Sequence, residues 1–527
     1  MSNVDHSSET LNFNNLGNLF RRDLDLQKIA LIDLDANNQP REFSFADLDA
    51  LANAVARGLG RFALERGSRV AIIALNSAEY VATFLGIMRA GLVVVPVNSK
   101  FPPAMVDFVL QDSDAQFVFC DSLNEPLIPS SLPRVVFNHA DKTASSSFYQ
   151  FLDHGPFEII RPEKDELAML LYTSGSTGKP KGVRLSHASH IWVAKTRLGN
   201  NDWSRHRYLV AAPLYHMNAQ AMTMLNILAH ATTVLMPQFN ARQYIKAIET
   251  FQCTWLTAVP PMIAMMLQEK GLIEQTDLSS VEFLRMGSAP VSPSLLEAIH
   301  LVFPKTQVIN AFGTTEGSPV MFGPHSDGLT LPLLCAGCAH PEVSIRLVND
   351  NGQESDQGVL QIKSPGIMLG YHKPEGRNPP IKNPFTDDGF YSTGDIFKRD
   401  TNGFYFFIGR ADDMFVCGGE NIYPAEVERL IESHPHVAQA AVIAVDDDIK
   451  GQKPVAFVVK RPNTQISASE LKTYCLSNAP AYQHPRWIWF LDELPLASTN
   501  KVDRPLLKIK AIQQINSTEN NDSVLKP

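Results

Sequence analysis

Eleven consecutive residues, Tyr172 to Gly182, read Tyr-Thr-Ser-Gly-Ser-Thr-Gly-Lys-Pro-Lys-Gly. Three glycines, four serine or threonine hydroxyls and two lysines share this short loop. Backbone N–H groups that can turn inward, hydroxyl donors and positive charge together meet the needs of a polyphosphate. The apolar run Glu166 to Leu171 before it reads as a buried strand, so the loop leaves a sheet where ligands of α/β proteins bind. It is not a Walker A loop: Gly175 and Gly178 stand only three apart, and Pro180 follows Lys179 where the magnesium-binding hydroxyl should be. Alone, such a loop reads equally as a mobile surface turn.

Three further strings could share the work. Asn310-Ala-Phe-Gly-Thr-Thr-Glu-Gly317 follows a predicted strand and ends in a carboxylate. Glu316 could hold hydrated magnesium against phosphates, Thr314 and Thr315 could donate to them, and Phe312 offers a ring face to a purine. Tyr391-Ser-Thr-Gly-Asp395 places an acid at a glycine turn, which suits two ribose hydroxyls, although taken alone it is better read as a plain Asp turn. Lys501 lies in the polar string Ser498 to Asp503, by itself unremarkable for a mobile loop. Cys335 and Cys338 form a lone C-x-x-C with His340 beyond, better read as a packed loop than as a zinc site. Ser186 before His187 reads as a helix N-cap.

The elements that must position these residues follow from periodicity. Short β-rich runs (70–74, 92–97, 116–120, 233–236, 254–258, 307–310) alternate with amphipathic stretches (78–89, 241–251, 293–303). That alternation predicts an α/β fold of parallel strands with crossover helices. From Val343 to Ile408 the pattern turns β-rich, predicting a small barrel-like subdomain. After Gly409-Arg410 a small α+β unit follows, with helices at 424–434 and 469–477 and strands at 437–445, 454–459 and 487–491. The expected division is 1–409, a hinge at 410–412 around Asp412, and a C-terminal α+β domain at 413–527. The polar tail from Gln513 is expected to be disordered.

Composition narrows the function classes. With 527 residues, 44% apolar and 19% charged, the chain is an ordinary multi-domain globular protein. A net charge of −9 without a basic run excludes general nucleic-acid binding. No run reaches the length of a membrane span, so an integral membrane protein is not expected. The N-terminus lacks the layout of a signal peptide, and six scattered cysteines suggest a reducing, cytoplasmic setting. A homodimer is one admissible assembly.

In this order and spacing the strings resemble those of the adenylate-forming enzymes, which include acyl- and aryl-CoA synthetases, adenylation domains of peptide synthetases and firefly luciferase. The resemblance runs from about residue 20 to 510. It implies a large N-terminal AMP-binding domain, a small mobile C-terminal domain, and activation of a carboxylic acid by ATP and Mg²⁺. Thr173, Ser174, Gly175, Ser176, Thr177, Gly178, Lys179 and Lys181 would hold the β- and γ-phosphates. Thr315 would meet the α-phosphate, with Gly313 and Thr314 beside it, and Glu316 would help hold the metal. Asp395 would bind the ribose, with Arg410 nearby, and Gly287, Ser288, Ala289, Pro290, Asn310 and Phe312 would frame the adenine. The family usually has tyrosine where Phe312 stands, so the ring face survives without the hydroxyl. Lys501 matches the catalytic lysine and His216 an aromatic position near the acyl pocket, for which a buried structural histidine is the other reading. After a rotation at Asp412, Gly418 and Gly419 would line a pantetheine tunnel and Arg486 would contact the CoA nucleotide; His484 would be a weaker cation there.

The leading expectation is an AMP-forming acyl-CoA ligase, closest in its Gly-Gly-Glu-Asn-Ile-Tyr-Pro string to benzoate-type and carnitine-type CoA ligases, with a place in fatty-acid metabolism. A stand-alone enzyme loading a carrier protein is the alternative within the same chemistry. A non-catalytic nucleotide-binding protein is the alternative outside it, opposed by the presence of Lys501, Glu316 and Asp395. The acyl pocket is expected along 216–220, 259–262, Gly287 and 318–321. Its methionines and alanines, without lysine or arginine, suggest an apolar tail.

Overall fold

The computed structural model describes residues 13–523, apart from 139–142, 174–178, 288–290, 292, 377–379, 418–419, 448–449, 481–482 and 498–500. Two parallel-rich sheets carry the first part of the chain. One runs, in spatial order, Arg134–Val136, Ala115–Cys120, Arg69–Ile73, Val93–Pro96, Leu167–Thr173 and Lys181–Ser186. The other runs Gln307–Ala311, Phe283–Gly287, Trp255–Ala258, Arg207–Val210, Thr232–Leu235, Ile29–Leu34 and Pro40–Ser44. Each is parallel except for one antiparallel edge pair.

The period-2 pattern of the strands sorts their side chains between two cores. Val70 and Ile72 join a large core shared by both sheets, whereas Ala71 and Ile73 join a smaller one on the outer face. Helix Ala78–Arg89 is buried all round and Met217–Leu228 nearly so, so neither shows the polar face of a surface helix. Capping sets several starts: Ser77, Asn240 and Ser186 each accept a backbone N–H from the first turn that follows. Ser186 is thus a helix cap, and His187 accepts from the Leu16 N–H at 3.0 Å.

Arg89 is fully buried within this core but completely satisfied. It meets Asp49 at 2.7 Å and also donates to Asn53 Oδ1 and to the carbonyls of Gly17 and Asp49. Arg89→Met would strand those acceptors, and should cost about 3 kcal/mol of stability, read as a lower denaturation midpoint.

The β-rich region forms a six-stranded antiparallel sheet in the order Phe322–Gly323, Cys335–Ala339, Tyr405–Arg410, Tyr391–Arg399, Gln357–Lys363 and Ser344–Val348. Cys335 is buried in it with its thiol near the Tyr405 carbonyl, so the C-x-x-C is a strand. No metal-binding cluster occurs among the described residues.

The C-terminal unit is built on the antiparallel pair Val437–Asp447 and Gly451–Lys460, with Ile488–Leu491 added in parallel. Helices Pro424–Glu432 and Ala468–Asn478 supply one of its two cores; helix Arg504–Ser523 supplies the other. That last helix overturns the expected disorder for Gln513 to Ser523: Leu507 and Ala511, with the partly buried Ile515, set an apolar stripe against the core of Ala441, Ile443 and Phe457. A polar composition had hidden a helix whose stability comes from packing.

Candidate active site

A single cleft of about 2980 Å³ gathers the chemistry-bearing strings. Thr173 ends the strand Leu167–Thr173 and pairs across to Lys181, so the glycine-rich loop is the tip of a hairpin. Residues 174–178 of that loop lie outside the described residues, as do Ser288, Ala289, Pro290, Gly418 and Gly419. At the loop's base the Lys179 ammonium lies 5.5 Å from the Phe108 ring centroid, and that of Lys181 5.1 Å from the Tyr371 ring. Both lysines line the cleft, so the rings fix the cations without neutralising them.

Glu316 stands opposite. It accepts from Tyr371 Oη at 3.1 Å and from Thr173 Oγ1 at 3.3 Å, joining the hairpin to the Asn310–Gly317 string. Its loop is tightly built: Thr314 Oγ1 accepts the Gly317 N–H at 2.8 Å, and Ser318, fully buried, takes φ +92°. A serine in that region is strained and persists only where its surroundings dictate it. Phe312 packs edge-on against Phe397 at 4.7 Å, leaving one side of the ring on the cleft.

Asp395 lies buried on strand Tyr391–Arg399, and Arg410, on the neighbouring strand, donates to it at 2.9 Å. Gly394 makes this close approach workable, since it takes φ +73° and an added Cβ would sit 3.3 Å from the Arg410 guanidinium. Burial pushes the Asp395 carboxyl up to about 6, against the opposing pull of Arg410 and Lys501. Arg410 also reaches the exposed Asp412 at 3.3 Å.

Lys501 arrives from the C-terminal unit and faces Asp395, Glu316 and His216 across the cleft. It keeps contact with solvent at the cleft surface, yet the surrounding protein pulls its pKa below the ordinary lysine value, with Asp395 and Glu316 opposing. His216 precedes helix Met217–Leu228 and is driven down to about 4, first by burial and then by Lys501 and Lys100. It is neutral at pH 7, and its Nε2 has no hydrogen-bond partner among the described residues. A histidine held for structure would normally be satisfied.

Every described residue assigned from sequence to nucleotide binding or catalysis lies on this cleft: Thr173, Lys179, Lys181, His216, Gly287, Asn310, Phe312 and Gly313 to Glu316, with Asp395, Arg410, Asp412 and Lys501. Arg486 does not; it lies beside His484 on the C-terminal unit, 2.7 Å from that ring's Nδ1. Gln220, expected in the acyl pocket, turns instead to a small separate cavity beside His190. Two lining residues escaped the sequence reading. Tyr371 carries no local signal, since only the fold brings it to Glu316. Arg285 does carry one, an arginine in an otherwise apolar buried strand that lines the same cleft.

Comparison with known proteins accounts for this arrangement. Residues 23–372 match the AMP-binding enzyme family and residues 426–501 the AMP-binding enzyme C-terminal domain. The chain belongs to the AMP-binding enzyme family. Within it, the chain falls in the adenylate-forming acyl-CoA synthetase branch: it is 30% identical to the sulfoacetate–CoA ligase of Cupriavidus necator, over 88% of this chain and 91% of that one. It is 28% identical to a mitochondrial medium-chain acyl-CoA ligase of Danio rerio, over 90% and 84%. ATP-bound MatB from Rhodopseudomonas palustris superposes with a TM-score of 0.84 at 27% identity, over 94% and 98% of the two chains. The anthranilate CoA ligase AuaEII in complex with anthranoyl-AMP gives 0.83 at 25%, over 96% and 99%. The o-succinylbenzoate CoA synthetase of Bacillus subtilis in complex with ATP and magnesium gives 0.75 at 28%, over 93% and 98%. Among the described residues no helix is long and apolar enough to cross a membrane.

Proposed function

We propose that this enzyme is an ATP-dependent, AMP-forming acyl-CoA ligase whose two half-reactions share the cleft. The observation that carries this reading is the convergence of Lys501, Asp395, Glu316 and His216, drawn from two structural units, on this cleft. In the first half-reaction a carboxylate oxygen attacks the α-phosphorus of ATP, and the bond to the bridging oxygen breaks, releasing pyrophosphate. In the second the CoA thiolate attacks the acyl carbon and AMP leaves. Neither step needs a covalent enzyme intermediate, so the protein's work is positioning and charge neutralisation.

Lys179, Lys181 and Thr173 hold the leaving pyrophosphate. Thr315 takes the α-phosphate and Phe312 the adenine, with Asp395 on the ribose. The donor chemistry fits magnesium: a carboxylate beside hydroxyls at a phosphate site is what that ion takes, since it keeps most of its waters. Glu316 and Thr173 would hold it, and it would supply neutralisation of the phosphate charge. Residues 410–412 serve as the hinge that exchanges the C-terminal unit between the two half-reactions, bringing Arg486 to the CoA nucleotide. Six unpaired thiols support a reducing, cytoplasmic setting.

The ribose contact has a pH consequence. Only ionised Asp395 accepts from both hydroxyls, and its pKa lies at about 6. The KM for ATP should therefore rise as pH falls through 6, by about tenfold per unit once protonation dominates. Asp395→Asn should raise KM and flatten that limb. The same raised pKa means that ionised Asp395 opposes folding: stability from this group is full near pH 4 and falls as pH rises through 6. A pH-independent KM for ATP between 5 and 7 would remove Asp395 from the ribose site. The reaction itself is tested by product analysis: AMP, pyrophosphate and a CoA thioester are expected with free CoA, whereas transfer only to a carrier protein, or release of ADP, would refute it.

A further inference from the structure

Arg285, which lines this cleft, and Arg197, buried against the same helix, are left unexplained by nucleotide chemistry. Arg285 lies on strand Phe283–Gly287, is 8% exposed and lines the cleft. It donates to Asn218 Oδ1 at 2.6 Å. Arg197, on helix His187–Leu198, approaches the Met222 sulfur at 3.0 Å, and its Nη1 is buried without a partner. Asn218 and Met222 lie one turn apart on the same helix, so the two guanidiniums meet that helix on one face. No carboxylate pairs with either among the described residues.

A buried guanidinium without a counter-charge is costly, and structural ones are paired. Arg89 is the comparison within this chain, fully buried with Asp49 and three further acceptors. Burial lowers both guanidinium pKa values, and the Arg197 cation lowers that of Arg285 further; Arg197, at about 10, stays charged at neutral pH. Two neutral groups beside them are also unsatisfied: Asn218 Nδ2, and Thr257 Oγ1 on the strand paired in register with Arg285. The arrangement is that of an anion site waiting for its occupant, not of a packed core.

Its place identifies the occupant. Asn218 follows His216 by two residues, and His216 faces Lys501 at the reacting end. Two residues of chain span at most about 7 Å. Resting on the ligase reading above, we propose that the acid activated here is short and carries a second anionic group, a carboxylate or a sulfonate, which Arg285 binds at the inner end of the acyl cavity with Arg197 behind it. Arg285 would thus determine specificity, setting this substrate apart from a plain fatty acid.

Acid-dependent exchange of labelled pyrophosphate into ATP tests this. The panel holds C3 to C6 dicarboxylates and short sulfo-carboxylates, each beside its monocarboxylate of equal length and the monoamide of the diacid. The two anionic arms separate carboxylate from sulfonate. Wild-type kcat/KM should favour at least one anionic acid over its uncharged counterparts by about 100-fold or more, since those leave the guanidinium buried and unpaired. Arg285→Met should abolish that preference, lowering the anionic acid about 100-fold while changing the neutral one less than about threefold; Arg285→Lys should restore part of it. A wild-type enzyme that prefers the neutral acids overturns the inference, as does Arg285→Met lowering both alike. The wild-type comparison decides even where that variant fails to fold. Exchange with no acid at all refutes the ligase reading instead, so the two failures are distinct.

Discussion

Lys501→Ala is expected to lower the rate of acyl-adenylate formation by about 10³-fold, while thioester formation from supplied acyl-adenylate and CoA changes by less than about threefold. The asymmetry follows from where charge develops. In the first half-reaction negative charge builds on the α-phosphate and the entering carboxylate, and a compact ammonium between them stabilises the transition state more than the ground state. The proposed role suits Lys501, which lines the cleft near Glu316, Asp395 and His216, with the two acids opposing the pull of the surrounding protein that lowers its pKa. His216, neutral beside it, leaves the site's positive charge to the lysine. In the second half-reaction the thiolate brings its own charge, and the proposed rotation carries the lysine away. Equal loss in both half-reactions, measured separately in single-turnover experiments, would contradict the role.

Asp412→Pro should leave adenylation within about threefold and slow thioester formation by about 100-fold, because proline fixes the backbone about which the C-terminal unit turns. The present arrangement is held in part by interactions next to that position. Arg410 reaches Asp412 at 3.3 Å, and Arg429 donates to the carbonyls of Phe407 at 2.9 Å and Ile408 at 3.2 Å. A rotation at 412 has to release them. Asp412→Ala separates the two effects: it removes the carboxylate but leaves the backbone free, and should retain most of the thioesterification rate. Unchanged thioester formation in Asp412→Pro would relocate the hinge.

Much of this was legible in the chain itself, for physical reasons that differ from part to part. Helices Ala78–Arg89 and Ala241–Phe251 appear at the expected bounds because Ser77 and Asn240 announce their starts by capping. The strings around the glycine-rich loop, Glu316, Asp395 and Lys501 stood out through their order and spacing, which carried the family resemblance; taken singly, Asp395 and Lys501 read as ordinary loop residues. Tyr371 was not, since its contact with Glu316 spans 55 residues and is made only by tertiary approach. The final helix was missed because its polar face dominates the composition while a narrow stripe, Leu507, Ala511 and Ile515, bears the packing. Arg285 was missed through a choice of segments: the acyl wall was sought in the loops after the strands, and the charge lies within the strand itself. That one residue is the ground on which an anionic tail is proposed in place of the expected apolar one.

The central claim is that this cleft activates a carboxylate at the α-phosphate of ATP. Acid-dependent exchange of labelled pyrophosphate into ATP, followed in the wild type and in Lys501→Ala without CoA, tests it most directly. The account predicts exchange that requires the acid, needs no CoA and is lost in the variant. Absence of exchange across a broad panel of acids, or exchange equal in the two proteins, would contradict it.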